Sequence, residues 1–176
     1  MRLDEERMFG YGPYKVDEFQ VNFLYGLNDL CKKYVTDRRM KILELGGNDG
    51  VSTNLFSQYS DYVTCVDIIQ TVKMRSLLNS NNKIKFYNMR FQDFFQNLNQ
   101  KFDLIYIDGD HSYESAFRDI NQSLPYIVDG GFISGHDYNS MTPGVIEAVN
   151  KIFKSNDVEV YSDSSWIIKI KFNNEL

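Results

Sequence analysis

Apolar and polar positions along the chain follow two periods in turn, one typical of helices and one typical of buried strands. From Asp17 to about Val35 the apolar residues recur at helical spacing, which predicts a helix. After it, short apolar runs alternate with amphipathic stretches. The predicted strands are Lys41–Leu45, Tyr62–Asp67, Lys83–Asn88, Phe102–Asp108, one beginning at Gly131–Ser134, Val158–Tyr161 and Trp166–Phe172. The predicted helices between them are Val51–Tyr59, Ile69–Leu78, Ser112–Tyr126 and one opened by Thr142 as N-cap and Pro143 in its first turn. Phe91–Leu98 is predicted as a short helix or turn.

This alternation of strands and helices predicts an α/β fold with a seven-stranded, mostly parallel sheet that carries helices on both faces. The last two strands are separated by the polar turn Ser162–Ser165, which is too short for a helical crossover. They therefore form a hairpin and place one antiparallel strand in the sheet. We predict a single domain over residues 1–176, with residues 1–38 as an N-terminal segment and helix and residues 39–176 as the core.

Composition and charge exclude several classes of partner. Hydrophobic residues make up 43% of the chain, enough for a packed core, and 19 basic against 24 acidic residues leave a net charge of -5 without a basic stripe. We therefore expect neither a nucleic-acid nor an anionic membrane partner. No apolar run approaches the length of a membrane span, and Cys31 and Cys65 are interpreted as buried hydrophobic residues in a reducing compartment. We predict a cytoplasmic location.

The first predicted strand leads into a glycine loop, Glu44-Leu45-Gly46-Gly47-Asn48-Asp49-Gly50. Glycines allow a sharp turn and a close approach of the backbone to a ligand. The spacing matches neither the dinucleotide fingerprint nor the phosphate-binding loop, and the acidic Glu44 would repel phosphates. Asp67 ends the second strand about twenty residues later, where an acid accepts the hydroxyls of a ribose. The alternative role for Asp67 is to cap the helix that follows.

Charged residues also follow the fourth and fifth strands, as Asp108-Gly109-Asp110-His111 and as His136-Asp137. The two histidines of the chain thus both stand beside aspartates at neighbouring strand ends. Carboxylates and imidazoles together suit a divalent ion such as Mg²⁺, Mn²⁺ or a first-row transition metal. The alternative is that Asp110 and Ser112 only cap a helix and the histidines are surface residues, but two such clusters on one edge of the sheet favour a functional site.

Together these segments resemble class I S-adenosylmethionine-dependent methyltransferases. They are most similar to the small methyltransferase 24-type group, which is related to metal-dependent O-methyltransferases. The segments that carry the resemblance are Ile42–Gly50, Val66–Asp67, Asp103–Tyr113 and Gly130–Tyr138. The resemblance spans roughly residues 40–172 and implies a Rossmann-like fold with S-adenosylmethionine as cofactor.

The resemblance also implies which residues bind that cofactor. The glycine loop would line its amino acid and ribose, Asp67 would hold the ribose hydroxyls, and residues after the third strand, Met89 among them, would lie near the adenine. The full implied set is Glu44, Gly46, Gly47, Asn48, Gly50, Asp67, Ile68, Arg90, Phe91 and Asp108.

By the same resemblance, Asp108, His136 and Asp137 would hold a divalent metal, Mg²⁺ or Mn²⁺. His136 departs from the carboxylate that relatives carry there, which leaves the identity and the use of the metal open. Asp110 and His111 are the candidate general bases, and His111 is preferred because an imidazole titrates near neutral pH. The expected reaction is O-methylation of a small-molecule hydroxyl, with donor and acceptor aligned by the protein.

Three other functions compete with this one. His111, His136 and Asp108 could form the two-histidine, one-carboxylate site of a non-haem iron oxygenase, although the alternating α/β pattern and the glycine loop disfavour it. The chain could also be a non-catalytic domain that binds an adenosyl cofactor. A nucleotide-sugar or NAD enzyme is disfavoured by the glycine spacing. The chain has few insertions that could cover the site. A partner subunit in a homo-oligomer is therefore an alternative source of the residues that complete it.

Overall fold

A computed structural model describes residues 24–172. The strands are β1 Lys41–Leu45, β2 Tyr62–Asp67, β3 Ile84–Asn88, β4 Phe102–Ile107, β5 Ile127–Gly135, β6 Glu159–Val160 and β7 Trp166–Lys169. The helices are α1 Tyr25–Tyr34, α2 Val51–Tyr59, α3 Val72–Ser80, α4 Phe91–Gln96, α5 Tyr113–Ser123 and α6 Pro143–Ile152, with 3₁₀ turns at Leu124–Tyr126 and Ser155–Asp157. The predicted division into residues 1–38 and 39–176 stays a prediction, since its ends lie outside the described residues.

The strands form one sheet in the order β3-β2-β1-β4-β5-β7-β6. Strands β1 to β5 pair in parallel, whereas β7 runs antiparallel to both of its neighbours. The prediction of a seven-stranded, mostly parallel sheet with one antiparallel strand is therefore confirmed. Within residues 24–172, no helix has both the length and the apolar character that crossing a membrane requires.

Two apolar layers cover the sheet because side chains alternate between its faces along each strand. In β1, Ile42 packs into the layer that contains α1, α2 and α3, whereas Leu43 and Leu45 pack into the layer of α4, α5 and α6. Both layers are fully buried at their centres, which explains the nearly continuous apolar character of the strands. Cys31 and Cys65 are buried free thiols in the first layer.

Helix α3 begins at Val72 rather than at Ile69 as predicted. Thr71 caps it, since its side chain accepts a hydrogen bond from the Met74 amide at 3.0 Å. The amide of Ile69 instead donates to the Asp67 carboxylate at 2.9 Å, which keeps this residue in the loop. The predicted N-terminal helix includes residues 17–23, which lie outside the described residues.

The region around β5 and α6 also differs from the prediction. Strand β5 begins at Ile127, four residues before Gly131, because a register irregularity opposite β4 accommodates Gly130 at φ +76°. Helix α6 does begin at Pro143, but the Thr142 side chain does not cap it. The Thr142 hydroxyl donates to the Asp137 carbonyl oxygen at 2.6 Å and so braces the loop after β5.

Asp163, in the turn between β6 and β7, caps helix α1 from outside that helix. Its Oδ2 accepts a hydrogen bond from the Leu27 amide at 2.6 Å, and its Oδ1 accepts one from the Ser165 amide at 2.9 Å. Gly26 leaves space for this carboxylate, because a Cβ there would overlap Oδ1. A negative charge at a helix N-terminus is favourable, so Asp163 joins α1 to the edge of the sheet.

We therefore expect Asp163→Ala to lower the free energy of unfolding by about 1–2 kcal/mol, because it leaves two backbone amides without an acceptor. Urea denaturation measures the change. Asp157→Ala, at an exposed aspartate before β6, is the control and should change stability by less than about 0.5 kcal/mol. Equal losses in both variants would contradict the capping role.

Candidate functional site

The order of strands reverses between β1 and β4, and this opens a crevice at the carboxyl ends of the strands. A cavity of about 530 Å³ lies on one side of the glycine loop, and another of about 380 Å³ lies on the other side. The predicted cofactor residues that line the larger cavity are Gly46, Asn48, Asp67, Ile68, Arg90, Phe91 and Asp108. The smaller cavity brings Gly47 and Asn48 together with Asp108, His111 and Asp137.

The backbone of the glycine loop cannot accept side chains at its turning points. Gly46 adopts φ +94°, and a Cβ there would overlap the carbonyl oxygen of Asp108. Gly50 adopts φ +83° and faces helix α3, while a Cβ on Gly47 would overlap the Cys65 sulfur. The glycines are thus required by the close packing of the loop on β4, β2 and α3.

Asp67 supports this loop as well as facing the larger cavity. Its Oδ2 accepts a hydrogen bond from the Asn48 amide at 2.8 Å, and its Oδ1 accepts the one from Ile69. Asn48 has φ +42°, a conformation that this contact helps to hold. Each carboxylate oxygen can accept more than one hydrogen bond, so Asp67 keeps acceptor capacity for ligand hydroxyls.

Glu44 lies behind the loop and borders neither cavity, although the sequence placed it among the cofactor-lining residues. Strand alternation turns its side chain toward α2, where it is fully buried. There its two carboxylate oxygens accept hydrogen bonds from the hydroxyls of Ser52 and Thr53. Burial raises the pKa of Glu44 to about 7, although these two hydrogen bonds oppose the rise.

The pKa of Glu44 predicts a specific dependence of stability on pH. Because the folded pKa of about 7 exceeds the ordinary value of 4.5, the folded state holds its proton more tightly than the unfolded state. The contribution is therefore complete below pH 4.5 and is lost as the pH rises through about 7. Glu44→Gln should remove this pH-dependent decline in the free energy of unfolding, which amounts to about 3 kcal/mol at most.

Urea denaturation of wild type and Glu44→Gln at several pH values between 4.5 and 8 measures this difference, with pH 8 on the order of one unit above the folded pKa. The variant should gain stability relative to wild type as the pH increases. Glu147→Gln, at an exposed position on α6, is the matched control and should track wild type at every pH. A difference between Glu44→Gln and wild type that stays constant across the range would refute the assignment.

Asp108, His111 and Asp137 form a cluster at the carboxyl ends of β4 and β5, which we call the rim cluster. One ligand atom from each residue lies within 4.8 Å of the others. Asp137 Oδ2 is 2.9 Å from His111 Nε2 and 3.3 Å from His136 Nδ1. Asp137 adopts φ +64°, a strained conformation for a non-glycine residue, which the hydrogen bond from Thr142 holds.

His136 was predicted as a metal ligand with Asp108 and Asp137, but the structure groups His111 with these two aspartates. The His136 ring turns inward, and its Nε2 is buried without a hydrogen-bond partner among the described residues. Because Nδ1 bonds to Asp137, the ring braces that carboxylate from behind. The proximity of His111 to Asp137 has no signal in residue spacing, because it depends on the loop conformation after each strand.

Burial and charge tune the acids and the imidazole of this region in opposite directions. Burial raises the pKa of Asp108 to about 6, although the charge of His136 opposes it. Burial lowers the pKa of His136, but its hydrogen bond to Asp137 and the charge of Asp108 outweigh this effect and raise the pKa to about 9. The same hydrogen bond lowers the pKa of Asp137. The pairing of Asp137 with His136 therefore favours the charged form of each.

The two predicted general bases have different environments. The Asp110 carboxylate accepts hydrogen bonds from the amide, at 2.9 Å, and from the hydroxyl of Ser112, and these bonds lower its pKa. Ser112 in turn accepts from the Ser115 amide and caps α5. Asp110 thus holds the N-terminus of helix α5. His111 is half exposed, and its side chain contacts Asp137 on the wall of the smaller cavity.

Comparison with known proteins identifies the family of the chain. The sequence model of the methyltransferase 24 family, described as a methyltransferase domain, matches residues 43–138, which include the glycine loop, Asp67 and the rim cluster. The chain belongs to the methyltransferase 24 family. The resemblance seen in the sequence, to S-adenosylmethionine-dependent methyltransferases of this group, is therefore confirmed.

One sequence relative of this chain is an uncharacterized protein of Acanthamoeba polyphaga mimivirus, 39% identical over 62 residues. That alignment covers 34% of this chain and only 28% of the relative.

Solved structures share the fold at low sequence identity. A TDP-rhamnose 3'-O-methyltransferase of calicheamicin biosynthesis matches with a TM-score of 0.66 at 14% identity, over 87% of this chain and 80% of its own. A Streptococcus mutans protein described as a methyltransferase, in complex with S-adenosylhomocysteine, matches with 0.66 at 14%, over 82% and 98%. A Clostridium thermocellum protein described as an rRNA methylase matches with 0.64 at 15%, over 82% and 94%.

Proposed function

We propose that this methyltransferase transfers the methyl group of S-adenosylmethionine to a hydroxyl group of a small molecule bound at the rim cluster. The observation that carries the proposal is the position of Asp108, His111 and Asp137 on the wall of the smaller cavity, beside the glycine loop. The sulfonium of the cofactor already activates the methyl group, so the chain must align the acceptor and manage its proton.

The donor set of the rim cluster fits a divalent cation. It offers two carboxylates and one imidazole within the reach of a single ion; the carboxylates suit Mg²⁺ or Mn²⁺, and the imidazole suits a first-row transition metal. An ion held by Asp108, His111 and Asp137 would lower the pKa of a coordinated hydroxyl. His136 would hold the side chain of Asp137, and Thr142 would hold the carbonyl oxygen of Asp137.

A second way to remove the acceptor proton is favoured by the short distance between His111 and Asp137. When His111 Nε2 carries its proton, it donates to Asp137 Oδ2 at 2.9 Å, which leaves Nδ1 free to accept a proton. This is the arrangement of a general base oriented by a carboxylate. The two roles of His111, metal ligand and base, make different predictions about the effect of metal.

The charges at the smaller cavity favour a neutral acceptor. Asp49, Asp108 and Asp137 border it, and of the basic side chains in the described part of the chain, none except His111 does. A bound divalent ion would balance two of these carboxylates without leaving an excess of positive charge to attract an anionic group, and the net charge of -5 disfavours a nucleic-acid acceptor. Since one structural neighbour is a TDP-rhamnose 3'-O-methyltransferase, sugar hydroxyls are the first acceptors to test.

Removal of metal should abolish turnover without abolishing cofactor binding. In a thermal-shift assay, S-adenosylhomocysteine at one hundred times its Kd should stabilise the chain by about 2.7 kcal/mol with or without a chelator. Methyl transfer from labelled S-adenosylmethionine to a panel of sugars and phenols should require Mg²⁺ or Mn²⁺. Full activity in the chelator would exclude metal assistance, and the absence of any stabilisation would argue against the cofactor itself.

Asp108→Ala should lower kcat/KM by about 100-fold or more, because it removes one ligand at the reacting centre. Asp157→Ala removes an exposed carboxylate that borders neither cavity; it is the control and should retain wild-type turnover. Wild-type kcat/KM in Asp108→Ala would remove this residue from the mechanism.

His111→Gln distinguishes the two roles of this histidine. If His111 is a ligand, kcat should fall by about 10- to 100-fold and recover in part at high Mg²⁺, because weaker metal binding is offset by mass action. If His111 is the base, the loss should be about 100-fold or more and should not respond to metal. We expect recovery, and a loss that is independent of the Mg²⁺ concentration would assign the proton transfer to His111.

A further inference from the structure

Asp119, on helix α5, is a buried carboxylate in the wall of the larger cavity that the sequence did not single out. Its exposed fraction is 1%, and it borders the cavity together with Arg118, Phe91 and Gly109. It lies outside the rim cluster and forms no part of the smaller cavity. A carboxylate in this position requires an explanation, because burial of an acid is costly unless donors satisfy it.

Gly109 shows how this wall is arranged. A Cβ at Gly109 would lie 2.9 Å from Phe91 Cε2 and 3.6 Å from Asp119 Oδ2, so the ring and the carboxylate oxygen converge on one point. Gly109, Phe91 and Asp119 therefore pack closely together, and all three border the cavity. The wall therefore combines an aromatic ring with an adjacent acceptor oxygen, which suits a planar ring that carries a donor on its edge.

In the described part of the chain, one hydrogen-bond donor reaches the Asp119 carboxylate. Within residues 24–172, Asp119 Oδ1 accepts a hydrogen bond from Arg118 Nε at 3.1 Å, and we find no donor to Oδ2. Burial raises the pKa of Asp119, and the charge of Arg118 opposes this without cancelling it. Since a carboxylate oxygen only accepts, a ligand group that satisfies Oδ2 must be a hydrogen-bond donor.

We propose that Asp119 selects the base of the methyl donor, with Oδ2 accepting a hydrogen bond from the 6-amino group of adenine. The inference rests on the proposed use of S-adenosylmethionine. Asp67 lines the same cavity, where it would hold the ribose. A 6-oxo purine would present an acceptor oxygen to the carboxylate, and a site whose buried polar group is left unpaired rejects a ligand strongly. Arg118 is the positioning residue that holds Oδ1.

Calorimetry of two ligands on the purified chain tests the proposal. Wild type should bind S-adenosylhomocysteine about 10- to 100-fold more tightly than its 6-oxo analogue, S-inosylhomocysteine. In Asp119→Asn this ratio should fall by about 10-fold or more, because an amide of the same shape can donate to the oxo group. Asp93→Asn makes the same charge change at an exposed site outside this cavity and should keep the wild-type ratio.

A third ligand keeps the test independent of how well the variant folds. The analogue with hydrogen in place of the 6-amino group should bind wild type about 10-fold or more weakly than S-adenosylhomocysteine. Equal affinity of wild type for these two ligands, or an unchanged ratio in folded Asp119→Asn, would overturn the role of Asp119 alone. Failure of wild type to bind S-adenosylhomocysteine at all would instead overturn the proposed function.

Discussion

Strands β1 and β4 lie so close at their carboxyl ends that the carbonyl oxygen of Asp108 occupies the space of a side chain at position 46. Only glycine fits there, and its positive φ sends the chain away from the sheet into the loop. The loop then reaches Asp67, which accepts a hydrogen bond from Asn48. Cavities on both sides of the loop, and the position of Asp108 between them, all follow from this one contact.

Much of the fold could be predicted because strands buried on both faces carry a strong apolar signal. The details that escaped prediction depend on single side chains with more than one available partner. Thr142 illustrates this, since its sequence context indicated a helix cap but its hydroxyl donates to Asp137. Thr71 is the opposite example. The apolar pattern predicted a helix from Ile69, but the side chain of Thr71 caps the helix two residues later.

The candidate site was predictable as a set of strand ends, but the pairing within it was not. Residue spacing places both histidines on the same edge of the sheet, and it contains no information about which ring faces Asp108. The His136 amide still donates to the Ile107 carbonyl oxygen at 3.2 Å, whereas Asp137 adopts a left-handed conformation and its carboxylate lies within hydrogen-bonding distance of both imidazoles. Glu44 was misplaced for a simpler reason, because alternation along β1 directs it toward α2.

The two cavities beside the glycine loop draw most of their lining from different parts of the chain. Strands β1 to β3 supply Asp67 and its neighbours to the larger cavity, whereas the loop after β5 supplies Asp137 to the smaller one. The turn at Asp163 packs against α1. Few residues serve both cavities, and Asp108 and Gly109 are among them. Substitutions in the loop after β5 can therefore alter the smaller cavity while the Asp67 side of the larger cavity is preserved. Such a division lets one cavity change its shape and charge while the other keeps its lining.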